Sequence, residues 1–192
     1  MRVIAVLISV GLAVSGCKQQ VIKQKSYLNV DSLISSQIDY LRHSKASLTK
    51  EASIGGKTSV STTLLDSTSW SHELDVFRQL DLINRPTYRD AYSVTDRVKD
   101  SKSNLLIKSY EAQAGSPVPY LRLYYMETPL RLKRLEAFYQ ETNSLYGSQR
   151  KLAMYFEGDQ GKPHLKSYSI EGDQKLMLSD SVHYTIRAEI IL

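Results

Sequence analysis

Hydrophobic and polar positions follow three rhythms along this chain, and each predicts a different kind of element. Val3 to Val14 is almost wholly apolar behind one positive charge, Arg2. That run is shorter than the roughly 20 residues an α-helix needs to cross hydrocarbon, so it predicts a cleaved export leader and not a permanent span. Lys18 to Lys25 is polar and basic, with only Val21 and Ile22 to bury, and reads as a tether. From Asp31 the period becomes helical. Ile34, Ile38 and Leu41 recur at three- and four-residue steps beside Leu33 and Tyr40, while Ser35, Ser36, Asp39 and Arg42 turn away. Asp31 is the expected N-cap. The polar face carries serine where a membrane-surface helix carries lysine, which favours packing on a sheet.

Between Ala46 and Leu65 serine, threonine and β-branched residues lie on both sides of Gly55-Gly56. Paired glycines supply the positive φ that a tight two-residue turn requires, so the segment predicts a partly exposed hairpin. Asp66 to Ser69 then offer capping side chains, and Trp70, Leu74, Phe77 and Leu80 form a second helical stripe opposite Asp75, Arg78 and Asp81. Asn84 and Pro86 end it.

Beyond Pro86 the pattern is that of strands. Tyr88 to Thr95, Leu105 to Gln113, Tyr120 to Glu127 and Leu130 to Gln140 are predicted strands, the Gly115 to Pro119 run is a break, and Asp96 to Asn104 is a charged loop or hairpin end. Tyr120 to Glu127 is apolar on both parities and is placed at the centre of a sheet. Leu130 to Gln140 also suits a helix by propensity; its Pro129 start and Asn143-Ser144 break favour a strand. Shorter strands are read at 145–146, 152–156, 168–170, 176–178 and 182–190, with turns at Gly147, at Gly158 to Pro163, at Glu171-Gly172-Asp173 and at Ser179 to Ser181. This spacing predicts an α+β fold: a curved antiparallel meander sheet or partial barrel with two amphipathic helices packed on one face.

Composition adds an address. The chain holds a single cysteine, Cys17, and it closes the leader as Val14-Ser15-Gly16-Cys17. That ending resembles the lipobox of bacterial lipoproteins, which implies cleavage after residue 16 and diacylglycerol and acyl (palmitate-type) modification of Cys17. The expected organisation is a signal peptide at 1–16, a lipidated tether at 17–26 and one domain at 27–192. Two or three acyl chains hold a protein on a bilayer where one does not. Lys18 follows Cys17 with no acidic residue to mark inner-membrane retention, so the outer membrane of a Gram-negative envelope is expected. With Cys17 committed to lipid, the domain has no disulfide to draw on and must be held by packing.

Trp70-x-x-Glu73-Leu74-x-x-Phe77, followed by Asp81-x-x-Asn84-x-Pro86 and Tyr92, resembles a recurrent pattern in small exported lipoproteins of Gram-negative bacteria that carry no assigned activity. The resemblance implies the order helix, hairpin, helix, many strands, and transfers no catalytic residue.

The chemistry points away from an enzyme. His43, His72, His164 and His183 sit in unrelated settings, and His72-Glu73 lacks the second histidine of a zinc motif because position 76 is Val76. Neither a nucleophile elbow nor a phosphate-cradling loop occurs, and no cofactor or metal is expected. A formal charge of +5 is mild, and without a basic helix or RNA-binding motif nucleic acid is not expected as a partner. The unusual component is tyrosine, thirteen against three phenylalanines and one tryptophan. Tyrosine serves a half-exposed sheet, and it equally serves a recognition face for a protein or glycan on the side the helices leave bare, with Arg122, Tyr124 and Tyr155 as candidates. The leading expectation is a membrane-anchored, non-catalytic interaction or assembly module. The alternative is a carrier of a lipid or other apolar ligand between sheet and helices, against which the ordinary number of core residues argues that the space is filled.

Overall fold

The computed structural model describes residues 27–192 apart from Ala114, residues 159–161 and residues 178–179. The leader, Cys17 and the tether lie outside the described residues.

Nine antiparallel strands form one open sheet: β1 (Ser47–Ile54), β2 (Lys57–Leu64), β3 (Tyr92–Lys99), β4 (Leu106–Ala112), β5 (Tyr120–Tyr125), β6 (Leu132–Thr142), β7 (Tyr146–Glu157), β8 (His164–Leu176) and β9 (Val182–Ile191). Their spatial order is β2-β1-β9-β8-β7-β6-β5-β4-β3. Strands β3 to β9 are the expected meander. The Gly55-Gly56 hairpin does not extend it at β3; it pairs with the last strand, Ser47 opposite Ile191 and Ile54 opposite Tyr184. The chain therefore leaves one edge at Leu64 and re-enters at the other edge at Tyr92, and the connecting segment crosses one face.

That segment is α2 (Ser67–Arg78), continued by a 3-10 helix over Gln79–Asn84. Asp66 caps it as expected, its Oδ1 accepting from the Ser69 amide at 2.7 Å. Trp70, Leu74, Phe77 and Leu80 are wholly buried. Helix α1 (Val30–His43) lies beside α2 and buries Val30, Ile34, Ile38 and Leu41. Its cap is Asn29, whose Oδ1 accepts from the Ser32 amide at 2.7 Å. Asp31, the expected cap, is one residue inside the helix and receives Arg78 of α2. Both helices thus pack on the same face, against a floor that includes Leu121, Leu135, Leu152, Met154 and Tyr168.

Other expectations change as well, among them the charged loop expected from Asp96, of which residues 96–99 belong to β3. Strand β5 is buried on both faces yet stands third from an edge, because the hairpin adds two strands at the far side. Gly147 is inside β7, opposite Thr142 and Lys175, and the turn comes earlier: Asn143 Oδ1 accepts from the amides of Leu145 and Tyr146, both at 2.9 Å. Gly172 is also mid-strand, in β8. A methyl group there would lie 2.6 Å from the Tyr184 ring and 2.9 Å from the Gln149 carbonyl, so the glycine makes room for an aromatic ring and not for a bend.

Candidate functional site

The core stripe of α1 is narrower than its apolar face. Leu33 and Tyr40 lie to one side of Ile34, Ile38 and Leu41, and there the helix overhangs the sheet without a second helix beneath it. A groove of about 430 Å³ results. Leu123 and Leu132 are among the buried side chains that floor it, Leu28, Leu33 and Tyr40 wall it, and Pro129 and Leu130 of the β5–β6 loop make the lip. Leu130 is 71% exposed. The polar end is formed by Ser36, Lys162 and His164; Lys162 makes no ion pair with any described residue. His164 is held by stacking on Tyr40, with ring centroids 3.8 Å apart.

Two polar clamps hold the walls. Gln37, 2% exposed, accepts from the Leu165 amide at 2.8 Å and donates Nε2 to the Pro163 carbonyl at 3.0 Å, tying α1 to the start of β8. The second clamp explains part of the Asp81-x-x-Asn84 pattern. Asp81 Oδ1 accepts from the Val30 amide at 2.9 Å, and Asn84 donates to the Leu28 carbonyl at 2.8 Å while its Oδ1 accepts from the Tyr27 amide at 3.2 Å. Asn84 also donates to Asp81 at 2.9 Å. These two side chains fasten residues 27–30, and Leu28 with them, to the end of α2. Tyr92, from the same pattern, donates to the Val118 carbonyl at 2.7 Å and packs edge-to-face on Tyr27.

Arg122, Tyr124 and Tyr155 do lie on the bare face, but two of them are occupied by neighbours. Arg122 pairs with Glu111 at 2.8 Å and covers the Tyr120 ring. The Arg134 guanidinium lies 3.7 Å from the Tyr124 ring centroid, and the Tyr124 hydroxyl donates to Glu136 at 2.8 Å. Burial first, and then that carboxylate, raise the phenol's pKa above its ordinary value. Tyr155 alone is open, 40% exposed, beside a polar depression lined by Ser167, Arg187 and Glu189. Most other tyrosines are structural: Tyr92, Tyr125 and Tyr168 are almost fully buried.

The histidines stay apart. His43 contacts its own helix through the Asp39 carbonyl, His183 lies 3.1 Å from Asp173 on the neighbouring strand, and His72 is exposed on α2. Among the described residues no cluster of three or more histidine, cysteine or acidic side chains is close enough to hold a metal. No helix of the described residues is long and apolar enough to cross a membrane. No family model, no curated protein and no solved structure matches this chain.

The groove was not legible in the sequence, because Leu28, Leu33, Leu123, Pro129 to Leu132 and His164 come from five separate segments. One signal was present. Leu33, Gln37 and Tyr40 form their own line at i, i+4 and i+7 beside the core stripe.

Proposed function

We propose that this chain is a membrane-anchored, non-catalytic envelope protein whose domain binds an apolar group, such as an acyl chain, in the groove beneath α1. The observation that carries the reading is an apolar space of about 430 Å³ with a polar rim, open at Leu130. Ligand sites share that description: concave, largely apolar, with a few placed polar groups, and in the size range of about 300–1,000 Å³. The groove supports the ligand-binding alternative over the module without a ligand that the core residue counts favoured. Trp70, Leu74 and Phe77 do fill the space under α2, but the space beside Leu33 is left. The charge of Lys162 at the rim favours an amphiphile whose anionic end stays at the surface while its chain lies on Leu123 and Leu132.

Binding of an alkyl-chain fluorophore bearing a carboxylate tests this. Leu130→Asp places a charge on an exposed lip without touching the core, and it should weaken binding about tenfold, the effect of roughly 1.4 kcal/mol. Lys162→Glu should weaken the carboxylate probe and spare its uncharged alcohol analogue. Equal binding by all three proteins would refute the reading. The anchor is tested separately: Cys17→Ser should abolish palmitate labelling, and labelling that persists would remove Cys17 from this role.

An assembly role has its own observation, the exposed outer strand β2, whose eight residues are uncovered on both faces.

A further inference from the structure

The two edges of the sheet are built differently. Strand β3 carries Asp96, Arg97 and Lys99, its register against β4 shifts between Thr95 and Val98, and Arg97 has a positive φ of 60°. Charges and a bulge of this kind are the usual means of preventing another strand from adding to an edge. Strand β2 has no bulge and almost no charge. Its register with β1 is unbroken over eight pairs from Ile54↔Lys57 to Ser47↔Leu64, it has no proline, and its only charge is Lys57 at one end. Exposed β-branched and apolar side chains sit along it, Val60 at 66% and Leu64 at 68%.

Which backbone groups are free follows from one hydrogen bond. Gly55 donates to the His183 carbonyl at 3.1 Å, so odd-numbered positions of β1 face β9 and even-numbered ones face β2. In an antiparallel ladder Ile54, Ala52, Lys50 and Leu48 then exchange bonds with Lys57, Ser59, Ser61 and Thr63. Thr58, Val60, Thr62 and Leu64 are left with their amides and carbonyls directed outward.

We infer that β2 pairs antiparallel with β2 of a second copy of this chain, about a two-fold axis at Ser61, to make one continuous sheet. This register is the one that uses all four outward residues on both chains, Thr58 opposite Leu64 and Val60 opposite Thr62 of the twin. Val60 then lies directly opposite Thr62 of the twin, which covers part of its exposed surface. Charge agrees with the same register. It sets Lys57, the strand's only charge, opposite Leu65 of the twin and eight residues out of step with the twin's own Lys57, so that no like charges meet. An interface eight residues long is small, and tethering both copies to one membrane would raise their effective concentration. The inference does not depend on the groove.

Full-length protein with single added cysteines, oxidised mildly in its membrane, tests the register. Ser61 faces its twin in a non-hydrogen-bonded pair with Cα atoms about 4.5 Å apart, inside the roughly 4.4–6.8 Å range of disulfides. Ser59 is four residues out of register with its twin, roughly 14 Å away at about 3.4 Å per residue. Ser61→Cys should give a covalent homodimer well above both Ser59→Cys and wild type. Adding Thr62→Pro, which removes an outward amide that β1 does not use, should abolish the product with the melting curve unchanged. Val60→Lys, at an exposed site, should do the same by setting like charges side by side. Ser61→Cys that remains at background, cross-links no better than Ser59→Cys, persists through both second substitutions, or joins a different protein would overturn the inference.

Discussion

Gln37 and Leu165 lie 128 positions apart in the chain and are joined by a buried hydrogen bond of 2.8 Å, from the strand's amide to the helix's side-chain carbonyl. The same amide side chain donates to Pro163 at 3.0 Å. A polar residue in the middle of the apolar face of α1 is thereby fully used, and it fixes the distance between the helix and the polar end of the groove.

Gln37→Leu keeps the volume and removes both bonds. A buried amide and carbonyl left without partners cost about 1–3 kcal/mol, so chemical denaturation should show a loss of that order, together with weaker binding of the alkyl probe. A stability equal to wild type would mean that water or rearrangement replaces the clamp.

Trp70 is wholly buried, and its indole Nε1 has no hydrogen-bond partner among the described residues. Truncation to alanine should cost about 3–5 kcal/mol, a large part of the roughly 5–15 kcal/mol that holds a domain folded. Trp70→Phe loses area but also an unpaired N–H, and should be clearly milder. Melting curves of the two variants that coincide would contradict this account of the site.

The helices were legible because their signals are local. Asp66 caps, Trp70 to Leu80 repeat at helical spacing, and no distant residue is needed to read either. The strand reading of β6 rested on its Pro129 start, its Asn143-Ser144 break and its setting among strands, and it holds against the segment's helical propensity: Leu132, Leu135, Ala137 and Tyr139 are buried, and the odd positions from Leu135 onward face the helices. Glycine misled twice, since Gly147 and Gly172 have the composition of turns but lie within long strands. What allows Gly172 there is the Tyr184 ring on β9, a contact no local window contains. The place of the hairpin at β9 and the joining of five segments into a groove are also long-range, and for the same reason Arg122 and Tyr124 could be assigned to the bare face without their neighbours Glu111, Glu136 and Arg134 being foreseen.

Gly172→Ala tests the strand reading directly. An added methyl meets a backbone carbonyl as well as a ring, so relief is incomplete, and overpacking of this kind costs about 1–3 kcal/mol. If Glu171 to Asp173 were a surface turn, alanine there would leave the melting temperature within error of wild type.

Alkaline pH supplies an independent check on the buried tyrosines. Burial above all pushes the Tyr110 phenol up to about 12, and burial followed by the Glu73 carboxylate raises that of Tyr168 further. The unfolded chain releases these protons near pH 10, while the folded chain keeps them. Their contribution is therefore complete below about pH 10 and is lost as pH rises from there toward about pH 12. Urea midpoints should fall over this range, and fall less steeply in Tyr168→Phe. A midpoint that holds constant above pH 10 would place these hydroxyls in water.

Photolabelling would locate a bound acyl chain on the protein itself. A fatty carboxylate carrying a diazirine near the end of its chain, irradiated with the full-length protein and mapped by peptide mass, should mark residues on α1 near Leu33 and residues between Pro129 and Leu132, and excess unlabelled carboxylate should remove the signal. Labelling confined to the bare face around Tyr155, or spread over the surface without competition, would show that the groove beneath α1 is not the binding site.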